Sequence, residues 1–107
     1  MASSINTFKS YAVDVTTVAN TFYTTPPATT TIVLLAQATN VGAAEANITF
    51  SSSINGSTEI VKDYTIPVGD AAGLLTGKLV LEPGVTMSVV GNANSTIKLT
   101  VSILETI

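Results

Sequence analysis

The 107-residue sequence contains no cysteine, histidine, arginine or tryptophan. The absence of cysteine excludes a disulfide framework and thiolate ligands, and the absence of histidine removes the commonest general base and the other usual ligand of zinc. The seven acidic residues stand singly along the chain, so no evident pair of carboxylates is available for acid–base chemistry. We therefore expect no catalytic residue, no metal site and no cofactor, which indicates a protein that is not an enzyme.

Charge is scarce as well. Charged residues make up 10% of the sequence, against roughly 25% in typical soluble domains. The net charge is −3, and the four lysines, at positions 9, 62, 78 and 98, are scattered. Binding to a phosphate backbone depends on clustered cations, so we expect no nucleic-acid partner.

Long apolar runs are also missing. The longest strongly apolar run, Ile32 to Ala36, is far shorter than the roughly 18 residues that a membrane-spanning helix needs. The start, MASSINTFKS, lacks the basic segment and apolar core of a secretory signal, so neither a membrane span nor a leader is expected. A mean hydropathy of +0.50 with so little charge favours a surface covered by neighbours, in a homo-oligomer or a larger particle.

What the sequence does contain is a period of two. Apolar and polar residues alternate in NITFSSSI (47–54) and in the last segment, TIKLTVSILE (96–105). This alternation is typical of half-buried strands. In TTTIVLLAQATNV (29–41) the residues around Ile32–Leu35 are apolar on both parities, which predicts a central strand covered on both sides for part of its length.

Turn residues separate these segments. Asn55-Gly56 predicts a type I′ hairpin, and Pro83-Gly84 predicts a type II turn. Residues 71–75, AAGLL, are the only weakly helical piece, at most one turn. The fold class predicted is all-β: an antiparallel β-sandwich of about eight short strands, either Ig-like or jelly-roll. Residues 16–107 form the sandwich, and residues 1–15 form an N-terminal arm or an edge strand.

The pair Gly77-Lys78 is compared with the end of a phosphate-binding loop, which would indicate nucleotide binding. A phosphate-binding loop requires G-x-x-x-x-G-K-[ST] followed by a helix. The first glycine of that pattern is replaced by Ala72, the hydroxyl residue by Leu79, and LVLEPG follows instead of a helical segment. We interpret Gly77 as the entry to a strand whose Leu79 and Leu81 face the core.

The order of these segments resembles small virion structural proteins of tailed bacteriophages of marine bacteria and cyanobacteria. The resemblance covers about residues 20–106 and is carried by FYTTPPATTTIVLLAQATNV, NITFSSSI, YTIPVGDAAGLLTGKLVLEPGVTMSVVG and IKLTVSILE. It departs from the family pattern at Pro26-Pro27, where a Pro-Ala-Gly turn is usual, and in its longer N-terminus, about 1–15.

The resemblance implies a non-catalytic β-sandwich located in the virion, which assembles in the host cytoplasm. The expected function is capsid decoration or cementing, with the major capsid protein or another virion protein as partner and a homo-oligomer, favoured as a trimer. The expected partner-binding residues are those of the arm: Phe8, Tyr11, Val13 and Val15.

Two alternatives remain open. One is a tail, neck or fibre-associated module, which would contact host surface glycans. The other, less favoured, is a small hydrolase that uses Glu59 and Asp63, since both side chains are expected on one solvated face.

Overall fold

A computed structural model describes residues 5–107 of the chain, which fold into nine β-strands. The strands are β1 Asn6–Asp14, β2 Asn20–Thr24, β3 Thr30–Asn40, β4 Ala46–Ser52, β5 Thr58–Ile66, β6 Ala71–Gly73, β7 Leu79–Leu81, β8 Thr86–Gly91 and β9 Ile97–Thr106. The predicted all-β class is confirmed. Within residues 5–107 there is no α-helix.

The strands form two antiparallel sheets. Sheet A has the order β1-β9-β3-β6, with β7 also paired to β3, and sheet B has the order β2-β8-β4-β5. Because β6 and β7 pair with different parts of β3, they act as one interrupted strand. Consecutive strands cross repeatedly between the sheets, which is the jelly-roll arrangement and not the Ig order.

The core lies between the sheets and follows the sequence alternation. Ile48 and Phe50 of β4 are fully buried, as are Leu99, Val101 and Ile103 of β9. Burying a large apolar side chain stabilises the fold by about 1.5–3 kcal/mol, so these alternating positions fix which face of each strand points inward.

A bulge in β2 brings two consecutive aromatic residues toward the core. The register with β8 shifts between Thr21 and Tyr23, at Phe22. Phe22 stacks on Phe50 with ring centroids 6.3 Å apart, and Tyr23 is buried. A regular strand would have turned one of the two rings outward.

Residues 71–75 differ from the sequence-based expectation. Ala71–Gly73 is a strand paired with Gln37–Thr39 of β3, and the Leu74 amide continues the contact by donating to the Ala36 carbonyl at 2.8 Å. The helical propensity of alanine and leucine is weak compared with the pairing that an open sheet edge offers. The weakly helical interpretation was therefore wrong.

The turn predictions had mixed outcomes. Pro83-Gly84 is a type II turn: the Val85 amide donates to the Glu82 carbonyl at 3.1 Å, and Gly84 has φ of 84°. Asn55 and Gly56 have positive φ, but the Gly56 amide donates to the Ser53 carbonyl. The connection from Ser52 to Thr58 is thus longer than the predicted two-residue hairpin.

Candidate functional site

The expected arm forms an edge strand of sheet A over its described part. β1 pairs with β9 in unbroken register from Asn6↔Thr106 to Asp14↔Lys98. The first four residues of the proposed arm lie outside the described residues. Strand parity divides the four expected partner-binding residues into two groups.

Three of these four residues pack into the chain's own core. Val15 is fully buried, and Tyr11 and Val13 pack against the core, with the Tyr11 ring 5.7 Å from that of Tyr23. Phe8 has the opposite parity and is 71% exposed. Of the four, Phe8 is therefore the one whose side chain is mostly exposed on the outer face of the sheet.

Phe8 begins an apolar row that crosses the outer face of sheet A. The register places Phe8 opposite Leu104, Leu104 opposite Ile32, and Ile32 opposite Val80. Directly paired residues have Cβ atoms about 4.5–5.5 Å apart on one face. Phe8 and Val80, at the two ends of the row, are exposed, and Ile32 and Leu104 between them are half-buried.

A bulge in β3 widens this row. The register with β9 shifts between Val33 and Leu35, which leaves Leu34 as the extra residue. Leu34 and Leu35 are both exposed, and they line a groove of about 260 Å³ beside the loop at residues 74–78. We call the row together with Leu34 and Leu35 the apolar face.

The other half of the same outer surface is polar. Gln37 pairs with Thr100, and Thr39 pairs with Lys98, which pairs in turn with Asp14. The contrast shows that the apolar face is a local feature. Contiguous exposed apolar patches on soluble proteins typically mark interaction sites.

Three further apolar side chains are exposed on loops beyond the sheets. Val18, Val41 and Val68 lie in the β1–β2, β3–β4 and β5–β6 connections. The Gly69 amide donates to the Asn40 carbonyl at the end of β3. The Val41 and Thr17 amides both donate to the β8–β9 connection, to the Thr96 carbonyl and Asn94 Oδ1. Single exposed valines on loops are common, so this end of the sandwich is a weaker candidate.

A polar network ties the two sheets together near Phe8. Tyr23 of β2 donates its hydroxyl proton to Glu105 Oε2 of β9 at 2.5 Å. Because that proton is committed to the carboxylate, the Thr31 hydroxyl, 2.7 Å away, donates to the Tyr23 oxygen. Lys9 Nζ of β1 lies 2.9 Å from Glu105 Oε1.

The network shifts the ionisation of its members. The hydrogen bond from Tyr23, and then that from Lys9, lowers the pKa of Glu105. Burial, and then the Glu105 carboxylate, raises the pKa of Tyr23 well above its ordinary value. Both effects keep Glu105 ionised and Tyr23 protonated, so the group acts as a structural clasp.

Acid should release this clasp. A carboxyl group whose pKa is lowered by folding stabilises the native state above its ordinary pKa of 4.5, and this contribution is lost as the pH falls through the folded value. We expect Glu105→Gln to flatten the decline in unfolding free energy below pH 4.5, measured by urea denaturation. Glu82→Gln removes an exposed carboxylate outside the network, and an equal flattening in that control would contradict the assignment.

Among residues 5–107, no group of three acidic side chains is placed to hold a metal ion. Glu59 and Asp63 are exposed, and Asp63 occupies a left-handed backbone position where its amide donates to the Thr49 hydroxyl oxygen at 3.0 Å. Within the same residues, no helix could cross a membrane.

Comparisons with known proteins bear on the fold of the chain and not on its function. No family model matches the chain, and no curated protein matches it. A solved structure of Bacillus endospore appendages, described as a novel family of disulfide-linked pili, is similar to this chain. The match covers 96% of this chain and 86% of the appendage chain. Its TM-score is 0.55 with 11% sequence identity, so the likeness concerns the β-sandwich alone.

Proposed function

We propose that the chain is a non-catalytic structural protein of a phage virion, and that it decorates the capsid by binding and stabilising the lattice of the major capsid protein. The observation that carries the proposal is the apolar face, which crosses four strands of a solvent-facing sheet. The sequence around Ile32–Leu35 has the apolar character of a strand covered on both sides, yet the chain itself covers one side. A capsid subunit would cover the other.

Binding at many repeated lattice positions makes a small apolar face sufficient for attachment. A decoration protein meets the same lattice at many positions, and linked copies bind with avidity beyond that of a single contact. Low charge and the absence of arginine suit a flat apolar contact better than a steering electrostatic one. The jelly-roll fold occurs in viral capsid proteins, which supports the proposal by analogy of fold only.

A second candidate is a tail, neck or fibre-associated module. The structural neighbour builds pili, and jelly-roll domains also occur in lectins. This sequence has no cysteine, so it could not use the disulfide links of that neighbour. The exposed aromatic rings that host glycans would contact are Phe8 and Tyr64, but these two residues lie on different sheets.

Copy number separates the two candidates. In particles of the phage that encodes the chain, quantitative mass spectrometry should find it in numbers comparable to the major capsid protein. Deleting its gene should lower the temperature at which heads release DNA and leave adsorption to host cells unchanged. A few copies per particle with altered adsorption would favour the tail or fibre module and contradict decoration.

A further inference from the structure

The edge strands of the two sheets are protected unequally. β6 and β7 have three residues each, β2 has five residues and a bulge, and β5 carries two register shifts and the strained Asp63. Shortness, bulges and charge are the devices by which proteins prevent edge pairing. β1 is neither short nor bulged within Asn6–Asp14: it is nine residues long and pairs with β9 without a shift.

The usual protection by lysine is also cancelled in β1. Lys9 is the one lysine of the strand, and its ammonium group is held by Glu105. Asp14 lies at the last position of the strand, away from its centre. The free edge of β1 is therefore open along its middle.

The pattern of main-chain hydrogen bonds between β1 and β9 shows which residues of β1 direct their N–H and C=O groups toward the free edge. The Ile107 amide donates to the Ile5 carbonyl, and the Val15 amide donates to the Ile97 carbonyl. The residues that bond to the β9 side at both ends of β1 are therefore odd-numbered. In an antiparallel ladder the bonded positions recur every second residue. With an unbroken register, the even-numbered residues of β1 direct their N–H and C=O groups toward the free edge.

These even-numbered residues are self-complementary. If a second β1 runs antiparallel about a two-fold axis at Ser10, Ser10 meets its own copy, Phe8 meets Ala12, and Asn6 meets Asp14. All five edge-facing residues then bond, which gives about ten main-chain hydrogen bonds. Centring the axis on Tyr11 instead leaves Asn6 unpaired and places Phe8 against Asp14.

Side chains agree with the Ser10-centred register. The methyl group of Ala12 leaves room beside the exposed Phe8 ring, and Lys9 lies opposite Tyr11 with no like charge facing it. A two-fold axis normal to the sheet also turns both apolar faces to the same side.

We propose that two copies of this chain pair through the free edges of β1, antiparallel and centred on Ser10, to join their A sheets into one. This goes beyond the proposed function and specifies the homo-oligomer expected from the sequence. It concerns the free chain, so its failure would leave capsid attachment standing, and the failure of attachment would leave the dimer standing. The trimer expected from the resemblance stays a prediction that the same measurement tests.

Light scattering on the purified chain is the first test. The mass should be about twice 11.0 kDa at micromolar concentration. Ser10→Pro should give a monomer, because it removes an edge-facing N–H and leaves the main-chain bonds to β9 intact, although the bond between the Ser10 and Ser102 hydroxyls is lost. A monomeric or trimeric wild-type mass would overturn the proposal.

Cysteine cross-linking gives a test that does not depend on how well the proline variant folds. Bonded partners in an antiparallel ladder have Cα atoms about 5.5 Å apart, within the roughly 4.4–6.8 Å range of disulfides. Ser10→Cys should therefore form a covalent dimer under mild oxidation, visible on a non-reducing gel.

Ala12→Cys is the matched control. Ser10 and Ala12 are both exposed, and they lie two residues apart on the same strand. In the proposed register the two Ala12 positions are about 13 Å apart along the sheet and cannot be bridged. Cross-linking of both variants at equal rates, or of Ala12→Cys alone, would overturn the Ser10-centred pairing.

Discussion

A Val80→Lys variant should fold as the wild type does and fail to attach to phage heads. Val80 is 55% exposed in the free chain, so the substitution removes little from the core. If a capsid subunit covers the apolar face, the lysine ammonium is buried there without a partner, which costs about 3–5 kcal/mol. That cost is roughly a hundredfold or more in affinity. Co-sedimentation with heads from a mutant lacking the gene measures it.

Val68→Lys is the control for this experiment. Val68 is 53% exposed, almost the same fraction as Val80, but it lies in the loop after β5 and not on the apolar face. The two variants therefore have the same composition and the same net charge. Attachment should survive in Val68→Lys. An equal loss in both variants would indicate that general surface hydrophobicity, not the apolar face, drives binding.

Tyr23→Phe should lower the free energy of unfolding by about 1.5–3 kcal/mol, the range for a hydrogen bond to a charged group. The phenylalanine ring still fills the core, but Glu105 loses its Tyr23 donor and the Thr31 hydroxyl loses its acceptor. Since single domains are stable by only about 5–15 kcal/mol, the loss is a large fraction of the total. Urea denaturation followed by circular dichroism measures it.

Tyr64→Phe gives the comparison for this change. Tyr64 lies on β5 and is 49% exposed, so loss of its hydroxyl should change stability by less than about 0.5 kcal/mol. In the background of Glu105→Gln, the effect of Tyr23→Phe should shrink, because the charged acceptor is gone. A Tyr23→Phe variant as stable as the wild type would show that the clasp contributes nothing.

Much of the fold could be predicted from the alternation of apolar and polar residues in the sequence. The apolar parity of β4 and β9 predicted the inward faces, and Pro83-Gly84 predicted its turn. The bulges at Phe22 and Leu34 were not accessible, because an extra residue reverses parity without any glycine or proline to mark it. The strand at Ala71–Gly73 exists through its pairing with β3, and local propensity does not encode that pairing.

The candidate site was accessible only in part. Phe8 was among the four residues expected to bind a partner, and its even parity could have separated it from Tyr11, Val13 and Val15. The double parity at Ile32–Leu35 predicted a strand covered on both sides, whereas the chain itself covers one side and leaves Leu34 and Leu35 exposed. The row through Leu104 and Val80 depends on the register between strands distant in sequence, which a single sequence does not give.

Electron cryomicroscopy of purified particles tests the proposed attachment most directly. We expect density for the jelly-roll sandwich at repeated positions on the head, with the apolar face of sheet A, from Phe8 to Val80, against a major capsid subunit. Density confined to the tail or fibres, or sandwiches on the head whose apolar face points into solvent, would contradict it.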